Sequence, residues 1–220
     1  MAGAGPLLTA RRYISSGRPS VGASMKATLR TLLLAAMGAV SLAASAVAQT
    51  PFQQGLDAYN RDDFANALRI WRPLAEQGDL RSQFFLGSLY DFGQGVRESD
   101  AEAAKWYRRA ADRGYAPAQY NLGGMYNHGD GVPQNYAEAA KWFRRAAEQG
   151  DSSAQNDLGE MYYYGEGVPG NDVEAYKWFA LAAARGNAEA IKKLDVIRGE
   201  MTPAQIAEGQ RLAAEWKPKK

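Results

Sequence analysis

The sequence predicts an all-α protein, a right-handed α/α solenoid of stacked helical hairpins closed by a C-terminal capping helix. Two observations carry that prediction. First, Trp106, Trp142 and Trp178 recur with a step of 36 residues, and the same step relates Leu86, Leu122 and Leu158, Tyr90, Tyr126 and Tyr162, and Gly114, Gly150 and Gly186. Self-similarity at such a period marks small units that bury a core only by stacking on one another. Second, the apolar residues inside each unit recur at helical spacing, and glycines end each run.

The full units span residues 79–114, 115–150 and 151–186. Their shared frame is close to A-x-x-x-L-G-x-M-Y-x-x-G-x-G-V, a short loop, then E-A-x-K-W-[FY]-x-x-A-A-x-x-G. This pattern resembles the Sel1-like repeat family, an α/α relative of the tetratricopeptide repeat. The resemblance implies adaptor or scaffold proteins, many of them bacterial and exported. Some cysteine-rich secreted relatives are associated with penicillin binding or β-lactam hydrolysis. This chain has no cysteine, so that association has no anchor here.

In the first 48 residues the reading changes. From Met25 the chain carries a positive n-region (Lys26, Arg30) and an apolar run from Leu32 to Leu42, too short for a comfortable membrane span. Ala46, Val47 and Ala48 place small residues before Gln49. This is the pattern of a secretory signal peptide cleaved between Ala48 and Gln49. Met25 reads as the natural start, and residues 1–24 as an over-extension. Arg11, Arg12 and Arg18, with no acid among them, make a transit peptide the rival reading. The expected address is the periplasm or the exterior, with no integral span after Gln49. Without the five bases of this segment, the 26 basic residues fall to 21 against 24 acids, a net charge of −3. Nucleic-acid binding then loses its electrostatic support.

After cleavage, residues 52–78 read as a degenerate unit. Phe64, Ala67, Leu68, Trp71 and Leu74 have helical spacing, and a short turn at residues 60–63 joins the two helices. In the full units, helix A carries a stripe such as Ala118, Leu122, Met125 and Tyr126, and stops near Gly129. Helix B starts at a capping residue: Ser99, Asn135 and Asn171, each followed three positions later by Glu. It buries Ala139, Trp142, Phe143, Ala146 and Ala147 in the second unit. Gln83, Gln119 and Gln155 share one column and are expected to bond backbone groups, since partly buried amides need partners. Lys105, Arg108, Arg109, Lys141, Arg144 and Arg145 are expected on a solvated outer face. Residues 187–220 form a partial unit and cap. Thr202, Pro203 and Gln205 start the last helix. The Arg-Arg pair of the earlier units becomes Ala180-Leu181, so Leu181 is expected beneath that helix, with Lys217–Lys220 frayed.

Catalytic patterns are missing. There is no G-x-S-x-G and no H-E-x-x-H, and the mature chain has no S-x-x-K. His128 is the single histidine. The G-x-G pairs follow helices, whereas a dinucleotide fingerprint follows a strand. No enzyme activity, no metal and no cofactor are expected.

The informative positions are those that vary between units. On helix A, the columns opposite the Leu122 stripe hold Phe84, Ser88, Asp91 and Phe92. In the next unit they hold Tyr120, Gly124, Asn127 and His128, and in the third Asn156, Glu160, Tyr163 and Tyr164. Stacked hairpins turn helix A inward, so these columns are expected to line a concave groove with aromatic anchors. The expected function is a non-catalytic adaptor or scaffold of the bacterial envelope that binds a protein or peptide segment there. The alternative is a peptidoglycan or polysaccharide binding module. A cell-wall-acting or β-lactam-acting enzyme is the third reading, but Asp91 and Glu160 lie in different units with no fixed separation.

Overall fold

A computed structural model describes residues 49–219. The proposed signal peptide, including Ala48, and residues 1–24 lie outside the described residues. The degenerate unit is α1 (Pro51–Asn60) and α2 (Phe64–Glu76). The full units are α3 (Leu80–Asp91) with α4 (Asp100–Asp112), α5 (Ala116–His128) with α6 (Tyr136–Glu148), and α7 (Ser152–Tyr164) with α8 (Asp172–Ala183). α9 (Ala188–Glu200) and α10 (Pro203–Glu215) follow. Each helix A packs on helix B of its own unit and on helix B of the unit before. The result is an α/α solenoid.

Capping chemistry sets the helix ends. Ser99 Oγ, Asn135 Oδ1 and Asn171 Oδ1 each accept from the backbone N–H of the glutamate three residues on, at 3.3, 3.1 and 3.1 Å. One first-turn donor of each helix B is thereby satisfied. α5 and α7 end on Gly129 and Gly165, both in the left-handed region, with φ of 83° and 70°. The loop then returns, and the N–H of Ser99, Asn135 or Asn171 donates to the carbonyl of Tyr90, Tyr126 or Tyr162.

Inside a unit, helices A and B approach through a glycine. A β-carbon on Gly87 would meet Tyr107, one on Gly123 would meet Phe143, and one on Gly159 would meet Phe179, each within 2.8 Å. The aromatic ring of helix B thus lies directly against bare helix A backbone. Leu86, Leu122 and Leu158 are fully buried beside these contacts. Each contributes about 1.5–3 kcal/mol relative to exposure.

Between units, two ladders recur. Gln83, Gln119 and Gln155 donate from Nε2 to the carbonyls of Ala75, Ala111 and Ala147, at 2.9, 3.0 and 3.0 Å. These carbonyls lie in the last turn of the preceding helix B, where each also accepts from the N–H of Gly78, Gly114 or Gly150 at 3.0 Å, and the glutamine adds a second donor from the next unit. The expected role of the glutamines is thus realised. The second ladder corrects an expectation. Arg108 and Arg144 do not stand on a solvated face. They are half-buried and donate to the hydroxyls of Tyr126 and Tyr162 in the next unit. Arg72 does the same to Tyr90 at 2.8 Å. Tyr90 and Tyr126 are accordingly half-buried, where a full core position was expected, and Trp106 is half-buried under Arg109. Trp142 and Trp178 are buried, 5% and 3% exposed.

The C-terminus behaves partly as the sequence foretells. Thr202 and Gln205 form a reciprocal capping box on α10. α10 packs mainly on α8, and Leu181 on α8 is buried. Gly209 comes so close to the Tyr176 ring that a β-carbon would lie 2.6 Å from Cδ1. The tail after α10 is not frayed as expected. The Lys219 N–H donates to the Glu148 carbonyl at 2.8 Å, and its Nζ pairs with the Glu148 carboxylate at 2.8 Å.

Candidate functional site

The varying columns of helix A sort into two sets. Phe84, Tyr120 and Asn156 form a supporting layer. Phe84 packs on Phe85, Tyr107 and Tyr115, with ring centroids 5.4–5.7 Å apart. Tyr120 packs on Phe143 at 5.7 Å. Asn156 is buried, which corrects its expected place in the groove lining. Its amide donates to Asp157 at 2.9 Å and Glu160 at 3.2 Å, and it accepts from Lys193 Nζ at 3.2 Å. Lys193 also pairs with Glu160.

The second set stands further out. Phe92 is 60% and Tyr164 50% exposed, and His128 is also exposed. All three occupy one column at the C-terminal ends of α3, α5 and α7. His128 Nδ1 lies 2.9 Å from the Gly124 carbonyl, to which it donates. Tyr163 and Tyr164 meet edge to face at 5.0 Å. Ser88, Asp91, Asn127, Glu160 and Tyr163 are half-buried between these rings and the supporting layer. Asp91 accepts from the Tyr107 hydroxyl at 3.2 Å, and Tyr163 donates to Glu200 at 2.7 Å. These contacts hold the surface in one arrangement, and Phe92, His128 and Tyr164 project from it.

The electrostatics follow from burial. Asp157 is held above the ordinary carboxylate range by burial, against the lowering effect of its bonds from Asn156 and Tyr120 and of the Lys193 charge. Burial draws Lys193 down, with Asp157 opposing. Tyr107 and Tyr120 are raised, by burial first and then by the Asp91 and Asp157 charges. Charged forms are disfavoured here because the network is partly buried between helices. Among the described residues, no group of three or more His, Cys, Asp or Glu side chains is placed to hold a metal ion.

Several residues of this face were missed from sequence. Val196 is 58% exposed on α9 and continues the Ser88, Gly124 and Glu160 column; Glu200 continues the Phe92, His128 and Tyr164 column. One more step of 36 from Glu160 and Tyr164 finds both. Tyr136, 38% exposed, joins through Gln134, whose Nε2 donates to the Tyr136 hydroxyl and the Asn127 carbonyl. It lies at the start of helix B, outside the varying columns of helix A.

Fold and site together define an α-hairpin repeat protein with a repeated frame and one face that changes from unit to unit. A family model for the Sel1 repeat matches residues 80–115, 116–151 and 152–187. The crystal structure of a Sel1 repeat protein from Oxalobacter formigenes is 40% identical, covering 58% of this chain and 96% of that chain, with a TM-score of 0.55. A protective antigen present in uropathogenic Escherichia coli strains, displaying an SLR fold, is 33% identical over 74% of this chain, with a TM-score of 0.64. This chain spans 38% of the length of that antigen. No curated protein matches in sequence. The chain belongs to the Sel1 repeat family, whose repeats typically mediate protein–protein interaction and generally serve as non-catalytic scaffolds.

Proposed function

We propose that this protein is a non-catalytic adaptor of the bacterial envelope that binds a protein or peptide segment on its helix A face. The observation that carries this reading is the projecting column of Phe92, His128 and Tyr164 on an otherwise repeated frame. Exposed rings on a rigid support make low-entropy anchors for a partner. The supporting bonds from Tyr107 to Asp91 and from Tyr163 to Glu200 leave little ordering cost for the binding event. The envelope address rests on the signal-like segment before Gln49. No helix among the described residues is long and apolar enough to cross a membrane.

The test is affinity capture from an envelope extract with immobilised full chain. A Phe92→Ala/Tyr164→Ala variant of equal helicity is run beside it. Both residues are at least half exposed, so the variant leaves the frame intact. A protein retained by the wild type and lost from the variant is the expected result. Equal retention by both rejects this face. The second reading, a peptidoglycan or polysaccharide module, rests on the same two rings. Retention of glycan without protein would favour it.

A further inference from the structure

The C-terminal turns of the A helices share one sign of charge. In register, residues 91–94, 127–130, 163–166 and 199–202 each contain one acid, at Asp91, Asp130, Glu166 and Glu200, and no lysine or arginine. The next charges along the first loop, Arg97 and Glu98, cancel. Glu166 is exposed, and among the described residues no cation pairs with it. The hydroxyls of Tyr107 and Tyr163 hold Asp91 and Glu200 in place. These turns also close α3, α5, α7 and α9, where the helix dipole adds partial negative charge.

Phe92 and Tyr164 stand in the same turns. They are the two most exposed Phe, Tyr or Trp side chains among the described residues. Elsewhere the chain lays its own cations on its rings. Arg81 lies 4.1 Å from the Phe52 centroid and Arg109 4.4 Å from that of Trp106. Arg145 lies 4.5 Å from the Trp142 centroid and Arg185 4.8 Å from that of Trp216. A ring face attracts a cation through its quadrupole. Among the described residues, no lysine or arginine lies over Phe92 or Tyr164. Both rings thus sit in acidic turns, with faces that the described chain leaves without a cation.

We infer that the segment received on the helix A face is basic, with lysine or arginine side chains laid over Phe92 and Tyr164 and paired with Glu166 and its counterparts. This chemistry rests on the helix A face being the binding face, and it names what the partner brings there. Attraction to the acidic turns speeds encounter, and the two rings fix where the cations settle.

The test uses three fluorescent glycine–serine peptides of one length, bearing evenly spaced arginine, glutamate or leucine. Binding to the full chain is followed by anisotropy. The arginine peptide is expected to saturate and to bind about tenfold or more tighter than the other two, with affinity falling as salt rises. Phe92→Ala/Tyr164→Ala and Glu166→Lys, each of wild-type helicity, are each expected to weaken it several-fold, to about tenfold. Glu76→Lys makes the same change of charge at an exposed site at the end of α2 and should leave affinity unchanged. An arginine peptide that does not saturate overturns the inference. So does a Glu166→Lys variant that behaves like Glu76→Lys. If the leucine or glutamate peptide binds best and is lost from Phe92→Ala/Tyr164→Ala, the helix A face stands and its basic partner falls. If that variant binds every peptide as the wild type does, both fall.

Discussion

A β-carbon built on Gly123 would lie 2.7 Å from Cδ1 of Phe143. The glycine is therefore a spacing device for two helices, since both residues are buried in mid-helix and the ring cannot retreat. Gly123→Ala is expected to destabilise the chain by about 1–3 kcal/mol, as overpacking does. Chemical unfolding measures it. Adding Phe143→Leu should recover part of the loss, because the two sites share one contact. A fully additive double variant would contradict the assignment.

Trp142 tests the core between units. It is 5% exposed and packs with Ala103, Ala110 and Leu122 of the neighbouring elements. Trp142→Ala should cost about 3–5 kcal/mol. Unchanged thermal unfolding would remove it from the core.

The glutamine ladder predicts a polar cost. Gln155 is fully buried, and its amide serves the Ala147 carbonyl. Gln155→Leu keeps the volume but removes this bond between units, while the Ala147 carbonyl keeps its bond from the Gly150 N–H at 3.0 Å, so the cost is that of one buried hydrogen bond, about 0.5–1.5 kcal/mol. Gln53, exposed on α1, is the control and should be neutral on replacement.

The frame was legible because it repeats. A step of 36 residues gave the units, the caps at Ser99, Asn135 and Asn171, and the glutamine column. The role of Arg108 and Arg144 was not legible. Their spacing on helix B suits an outer face, and only the stacking of the next unit brings Tyr126 and Tyr162 within reach. Chain connectivity also hides the Lys219 contact, since Glu148 lies two units back along the fold. On the candidate site, column periodicity separated frame from variable surface. It did not separate Asn156, buried under Lys193, from Tyr164, because both vary. Depth along the side-chain direction has no signature in a period.

The Arg–Tyr tie between units gives a double-variant cycle. Arg144 donates to Tyr162 at 2.6 Å and its guanidinium lies 5.5 Å from the ring centroid. Arg144→Ala should cost about 1–2 kcal/mol. Tyr162→Phe should cost about 0.5–1.5 kcal/mol. The pair should be less than additive.

Asp157 predicts a pH dependence. Its folded-state carboxyl is raised above its unfolded value, first by burial. The folded state then holds a proton that the unfolded state has lost. Its contribution to stability is full below the unfolded value of about 3.9 and is lost as pH rises through the folded one. Asn156, Lys193, Tyr120 and Asp151 face it. Asp157→Asn should remove this loss, so its stability relative to wild type should grow between acid and neutral pH. A difference that stays flat with pH would contradict the burial argument.

The central claim is that the helix A face receives a protein segment. Hydrogen exchange on the full chain, with and without the partner retained in the capture experiment, tests it most directly. Slowed exchange should concentrate at the C-terminal turns of α3, α5 and α7, around Phe92, His128 and Tyr164. Protection confined to α4 and α6, with those turns unchanged, would contradict the account and place the partner on the opposite face.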